Sequence, residues 1–204
     1  EVGIEDDGIA ITNVKFQGKE IMGRGNFPAM PVYYQNNSCG PYLDRLNGVG
    51  VASVPWANDA YLVSRQFSSN GEDWYELGIR EFIGQYDIYQ VWYFNGNGII
   101  DAHLFSRGLQ CNIYHEHWPH WRFDFDIGGS NNDEILRQTS IGLQAYSTEF
   151  NVTADQAQNH GWRVRDTITG DYVDIAFDTG DWTPTGTVVP ETTYAKNRVA
   201  GRLY

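Results

Sequence analysis

The stretch HEHWPHWRFDFDIGG at 115–129 carries His115, His117 and His120 within six positions. A strand repeats every two residues, so the imidazoles of His115 and His117 fall on one face, close enough to share a metal ion, while Glu116 points away. Imidazole suits copper, zinc, iron or nickel, and geometry selects among them. The plainer reading is a pair of polar residues on a half-exposed strand. His120 follows Pro119, so its direction cannot be counted along the chain. Beyond it the alternation is clean. Trp121, Phe123, Phe125 and Ile127 point one way; Arg122, Asp124 and Asp126 point the other. The two aspartates form either a solvated face or oxygen ligands for a hard cation. Arg122 offers a third arrangement, a bidentate pair with Asp124.

The elements that must position these groups read as strands throughout. Gly, Asn and Asp recur at short intervals, the rhythm of an all-β chain. GIAITNVKFQG is a first strand closed by Gly18, and MPVYYQNNSCGPYLDRLNGVG is a strand entering a long loop. AYLVSRQFSS and DWYELGIREFIG flank a turn at Ser69-Asn70-Gly71. QYDIYQVWYF and IIDAHLFSRG form a hairpin around NGNG, because Asn-Gly supplies the positive φ that a tight turn requires. EILRQTSIGLQAYS returns after GGSNND, and GWRVRDTITGDYVDIAF is a further hairpin. Only TADQAQNH reads as briefly helical. The expected fold is an antiparallel β-sandwich with little helix, residues 1–204 forming one domain of two stacked sheets.

Composition narrows the partners. A formal charge of −12 argues against nucleic acid, which needs clustered Lys and Arg, and suits either a cationic ligand or simple solubility. No apolar run reaches the length of a membrane span. The chain begins at Glu1, which reads as a processed or trimmed N-terminus. Sequons at Asn36-Asn37-Ser38 and Asn151-Val152-Thr153 point to a glycoprotein that is secreted, extracellular or periplasmic. Cys39 and Cys111 are either one disulfide or two thiols. Trp56, Trp74, Trp118, Trp121 and Trp182 offer flat faces to a sugar, although scattered tryptophans more often serve the core.

The histidine stretch resembles the copper-ligand segment of the copper amine oxidases. His115, His117, the four residues WPHW, Arg122, Phe123 and Asp124 stand in that family's order. The resemblance implies copper on His115 and His117. It also implies a second, peripheral metal such as calcium at Asp124 and the carbonyl that follows. FIGQYDIYQVWYFNGNGIIDAHL resembles the segment whose tyrosine becomes topaquinone, with Tyr86 at the precursor position and Asp87 after it. Phe82 stands where Thr is usual and Gln85 where Asn is usual. MPVYYQNNSCGPYLDRLNGVG resembles the entry to the family's catalytic base, and Asp44 matches that base. TTYAKNRVAGRLY is similar to a later strand segment. From the residues alone, Asp44 reads as a turn-capping aspartate and Tyr86 as a packing residue of a strand.

The activity so implied is oxidation of a small primary amine to an aldehyde by O2, with copper and a tyrosine-derived quinone. The family's third copper histidine lies beyond the last matched segment. The third ligand is therefore expected from a second chain, from a missing segment, or from His103, His120 or His160. Cys39 lies five residues before Asp44 and Cys111 four before His115, so convergence of those loci would bring the cysteines together as a disulfide. The family's habit implies a homodimer. The alternatives are a non-catalytic relative used for binding or assembly, and a carbohydrate-binding sandwich.

Overall fold

The computed structural model describes residues 2–5, 8–37, 39–46, 61–111, 113–117, 119–129, 131–147 and 161–175. Fourteen strands run through them: β1 (Val2–Glu5), β2 (Gly8–Phe16), β3 (Lys19–Tyr34), β4 (Tyr42–Asp44), β5 (Tyr61–Ser69), β6 (Glu72–Ile83), β7 (Tyr86–Asn95), β8 (Ile100–Gly108), β9 (His115–His117), β10 (His120–Phe125), β11 (Asp133–Thr139), β12 (Gly142–Tyr146), β13 (Trp162–Asp166) and β14 (Tyr172–Ile175). A short 3-10 turn, Gln35–Asn37, follows β3. The fold is all-β and antiparallel, as its alternating pattern demands. Asn151, His160, the TADQAQNH segment, Trp56, Trp118, Trp182 and the C-terminal TTYAKNRVAGRLY lie outside the described residues.

The strands form three sheets rather than the expected two. The first follows the order β1-β2-β3-β10, with β4 and β9 also paired to β3. The second is the meander β5-β6-β7-β8, built from the hairpins the turn residues marked. The third follows the order β12-β11-β13-β14. It is joined to the rest where Asp133 accepts the Ile127 amide and where Lys19 pairs with Asp171.

β3 is the spine of the first sheet because its sixteen residues are long enough to pair twice on each side. Its first half pairs with β2 on one edge and β10 on the other. Its last residues pair with β4 through Met30, Pro31 and Val32, and with β9 through Val32, Tyr33 and Tyr34. β9 and β10 therefore lie along one edge of β3, and Pro119 sits where that ladder breaks. Proline has no N–H to donate, which makes it a natural interruption of a ladder.

The first two sheets pack face to face. Ile9, Ile11, Met22, Phe27, Met30 and Leu46 meet Leu77, Ile79, Tyr86, Ile88 and Trp92 in one buried cluster. Trp121, Phe123 and Phe125 pack against it, as their alternation predicts; the strand ends at Phe125, and Ile127 is buried just past it. Polar atoms tie the sheets as well. The Gln90 amide accepts from Ile9 N at 2.7 Å and donates to Ile9 O at 3.0 Å, and Trp92 Nε1 donates to the same carbonyl at 3.2 Å. Ile9 stands at the start of β2, so its backbone groups are satisfied across the interface.

Candidate functional site

The register of β3 with its neighbours brings the site together. Residues directly opposite in a ladder share a face. Met30 faces Asp44, Val32 faces both Tyr42 and His117, and Tyr34 faces His115. Met30, Val32 and Tyr34 are buried toward the second sheet, so Asp44, His117 and His115 occupy the interior side with them. From the opposite sheet, Tyr86 enters that space as the first residue of β7, 2% exposed.

Tyr86 takes this position because of the turn before it. Ile83 pairs with Tyr86, leaving Gly84 and Gln85 as a two-residue hairpin turn. Gly84 has φ +60°, which glycine adopts without steric cost. Gln85 is exposed at this turn, and Phe82 faces away from Tyr86, on the other side of the sheet beneath the Arg80 guanidinium. The substitution of Phe for Thr thus sits on the face opposite the site.

The polar groups form a chain. Tyr86 Oη lies 2.8 Å from His115 Nε2, and His115 Nδ1 lies 2.7 Å from the Ile113 carbonyl. Only a protonated Nδ1 can donate to that carbonyl, and in the neutral tautomer that does so the Nε2 lone pair is directed at Tyr86. Tyr34 Oη lies 3.4 Å from Tyr86 Oη, and the Tyr34 ring stacks on His115 at 4.6 Å. His117 packs edge-on against Tyr86 at 4.8 Å and lies 5.0 Å from His115, ring centre to ring centre.

His117 is 1% exposed, and among the described residues neither ring nitrogen has a hydrogen-bond partner. A buried polar atom left so costs about 1–3 kcal/mol, and a metal ion would satisfy one nitrogen. Burial, and secondarily the neighbouring His115, lowers its pKa to about 4, so the ring stays neutral with a lone pair available. The donor set therefore fits a borderline metal ion on His115 Nε2 and His117. Among the described residues, no three His, Cys, Asp or Glu side chains stand close enough to hold one ion. His103 cannot complete the set: it faces the outer side of the second sheet, paired with Asp101 at 2.8 Å. His120 begins β10, opposite Ala29, and does not join the pair either. Asp124 is exposed, opposite Arg24, and sits on the solvent side of β10 away from the histidines. It stands near enough to Asp126 to raise that carboxyl's pKa, after burial and together with Glu20, yet these groups do not close around a cation.

Asp44 lies close enough to Tyr34 to raise the phenol's pKa, although burial and the Tyr86 contact contribute more. Burial pushes the Asp44 carboxyl itself up to about 6 from 3.8. Below pH 3.8 the group is protonated in both folded and unfolded chains. Between pH 3.8 and about 6 the folded chain keeps a proton that the unfolded chain gives up, so this contribution to stability is lost as pH rises. Asp44→Asn should therefore match wild type at the acid end and become progressively more stable than it up to about pH 6, with a constant gap above. Unfolding midpoints across that range check this; a gap that closes with rising pH would contradict it.

Tyr34 is the residue that motif reading did not single out. The signal was present as the alternation of Met30, Val32 and Tyr34, but it gains meaning only from the register with β4 and β9. Cys39 and Cys111 are joined, with Cα atoms 6.5 Å apart. Of the tryptophans offered as a sugar platform, Trp121 is turned inward against Phe27 and Trp92. Trp74 lines an open cleft of ≈ 490 Å³ with Phe67, Gln66 and Asp73 at the far end of the β5–β6 hairpin.

No family model matches the chain, and no curated protein is similar to it in sequence. In fold, the chain resembles the β-sandwich domain of the copper amine oxidases. It is similar to a copper-containing benzylamine oxidase from Hansenula polymorpha, with TM-score 0.58 and 12% identity over 83% of this chain and 41% of that one. It is likewise similar to an Aspergillus nidulans amine oxidase, with TM-score 0.54 and 13% identity over 98% and 43%. For the Pichia pastoris lysyl oxidase the values are 0.57 and 11%, over 85% and 36%. The chain thus spans less than half the length of these proteins.

Proposed function

We propose that this chain is an amine oxidase domain that binds copper at His115 and His117, uses Tyr86 as the precursor of its quinone, and oxidises a small primary amine to an aldehyde with O2. The observation that carries the reading is the buried convergence of Tyr86 Oη, His115 Nε2 and the unsatisfied His117 between two facing sheets. Copper, when bound with a third ligand from a further segment or a second chain, supplies the oxygen chemistry that converts a tyrosine ring.

The remaining work belongs to the chain's own groups. His115 is oriented by the Ile113 carbonyl, so its Nε2 faces the Tyr86 hydroxyl. Tyr34 stacks on that imidazole and holds the Tyr86 hydroxyl from the other side. Asp44, ionised above about pH 6, is the base that takes a proton from the carbon bearing the amine. The sandwich walls exclude water around Tyr86. The disulfide supports an oxidising, secreted setting, and Asn36 is exposed as a glycosylation acceptor would be. No described helix is long and apolar enough to cross a membrane. A homodimer and a peripheral calcium at Asp124 remain part of the reading on family resemblance alone.

The test uses protein purified without metal, then given copper and O2. Wild type should gain oxygen on the Tyr86 peptide by intact and peptide mass, and stain for a redox-cycling quinone after denaturation. Tyr86→Phe should do neither, although it binds copper. Copper uptake without any change in the Tyr86 peptide would sink the enzyme reading. It would leave the second one, a non-catalytic copper-binding relative, which the lack of a third close ligand among the described residues favours.

A further inference from the structure

The two strands that carry the site are unusually short. β4 and β9 each hold three residues, and among the described residues each pairs with β3 alone. They flank β3 on opposite edges, since Val32 faces Tyr42 on one side and His117 on the other. A three-residue ladder with one neighbour is weakly held and frays readily. Two features reinforce it. Gln35 N donates to Tyr114 O at 2.9 Å just beyond β9. The Cys39–Cys111 disulfide joins the segment entering β4 to the segment entering β9. The bond closes a separation of 72 residues, so it fixes two elements that the chain itself leaves independent.

We infer that the Cys39–Cys111 disulfide is a positioning element of the site, clamping the Asp44 strand and the His115/His117 strand on either side of β3 and thereby setting the affinity of the two histidines for metal. The inference rests on the metal-binding reading for its affinity consequence but not for its geometry. Tyr34 shows how the clamp reaches the histidines. It closes β3, contacts Tyr42 of β4 edge-on at 5.9 Å, and stacks on His115 of β9. Release of either flanking strand removes one side of that sandwich of rings and opens His117 to water.

The experiment compares wild type, Cys39→Ser/Cys111→Ser and Leu136→Ala. The serine pair leaves no thiol to bind or reduce copper, since the chain has two cysteines. Leu136, buried in the third sheet, reports general destabilisation away from the site. Diethylpyrocarbonate labelling, read by peptide mass on metal-free protein, measures access to each imidazole; half-exposed His103 serves as the internal standard. Copper(II) affinity follows from equilibrium dialysis against a competing chelator. The serine pair should expose His115 and His117 to the label and weaken copper binding by at least about tenfold, the scale of lost support around a metal ligand. Leu136→Ala should do neither.

Unchanged labelling in the serine pair overturns the inference. So does equal copper affinity in two proteins that both bind it, or an equal effect of Leu136→Ala. If the label enters only the serine pair and no protein binds copper, the clamp stands and the metal reading falls.

Discussion

His117→Leu is expected to abolish copper binding and to leave the metal-free chain as stable as wild type or more stable, by about 1–3 kcal/mol. The two effects have opposite signs because one imidazole serves two accounts. In the metal-free chain its nitrogens are buried without partners among the described residues, and burial, with the neighbouring His115 second, keeps the ring uncharged. Leucine fills a similar volume with no polar atom to satisfy, so it removes a penalty while keeping contact with Tyr86. On the proposed function one of those nitrogens would hold copper, and leucine offers no lone pair to replace it. Denaturant unfolding without metal and copper dialysis with it measure the two halves separately. A metal-free variant that is clearly less stable would show that His117 is held by the fold for its own sake. His115 gives the contrast: its nitrogens already have Ile113 and Tyr86 as partners, so His115→Leu should cost stability as well as metal.

The second large effect is on the fold. Trp92→Ala should destabilise the chain by about 3–5 kcal/mol, enough to unfold a domain near the lower end of ordinary stability. The indole is fully buried and packs edge-on against Trp121 at 5.0 Å and Phe123 at 6.1 Å, both of β10. It belongs to the second sheet and those rings to the first, so the cavity would open at the joint between them. Ile9 O keeps its bond from Gln90, so the loss is one of packing and not of an orphaned carbonyl. Gln90→Leu tests the polar half of the joint: it leaves the Ile9 amide without the partner it has and should cost roughly 1–3 kcal/mol. Denaturant midpoints followed by far-UV circular dichroism rank the two. A smaller loss for Trp92→Ala than for Gln90→Leu would mean that hydrogen bonds, and not the aromatic contact, join the sheets.

Much of this was written in the chain itself. Period-two alternation in WRFDFDI set Trp121, Phe123 and Phe125 inward and Asp124 outward, and the sandwich keeps that assignment. Gly and Asn at Asn70-Gly71 and at 95–98 placed the hairpins of the second sheet, because few residues accept a positive φ. The spacing of His115 and His117 put both rings on one face, since the strand period is a property of the backbone whatever surrounds it.

The rest required partners distant in sequence. Nothing near His117 states that Val32 will lie beside it, or that Tyr34 will stack on His115. Such pairings are chosen by the burial of the whole sheet, where β3 gathers β2, β4, β9 and β10 at once. The third sheet, the joining of Cys39 to Cys111, and the exclusion of His103 from the site follow from the same long-range choice. So does the chemistry. Asp44 is an ordinary carboxyl in sequence, and its pKa of about 6 comes from the water that packing removes. Residue type and spacing thus determined which groups were on offer and which way each strand turns them. Tertiary structure decided which of them meet and how strongly they are desolvated, because pairing and burial are properties of the folded whole and local pattern carries no record of them.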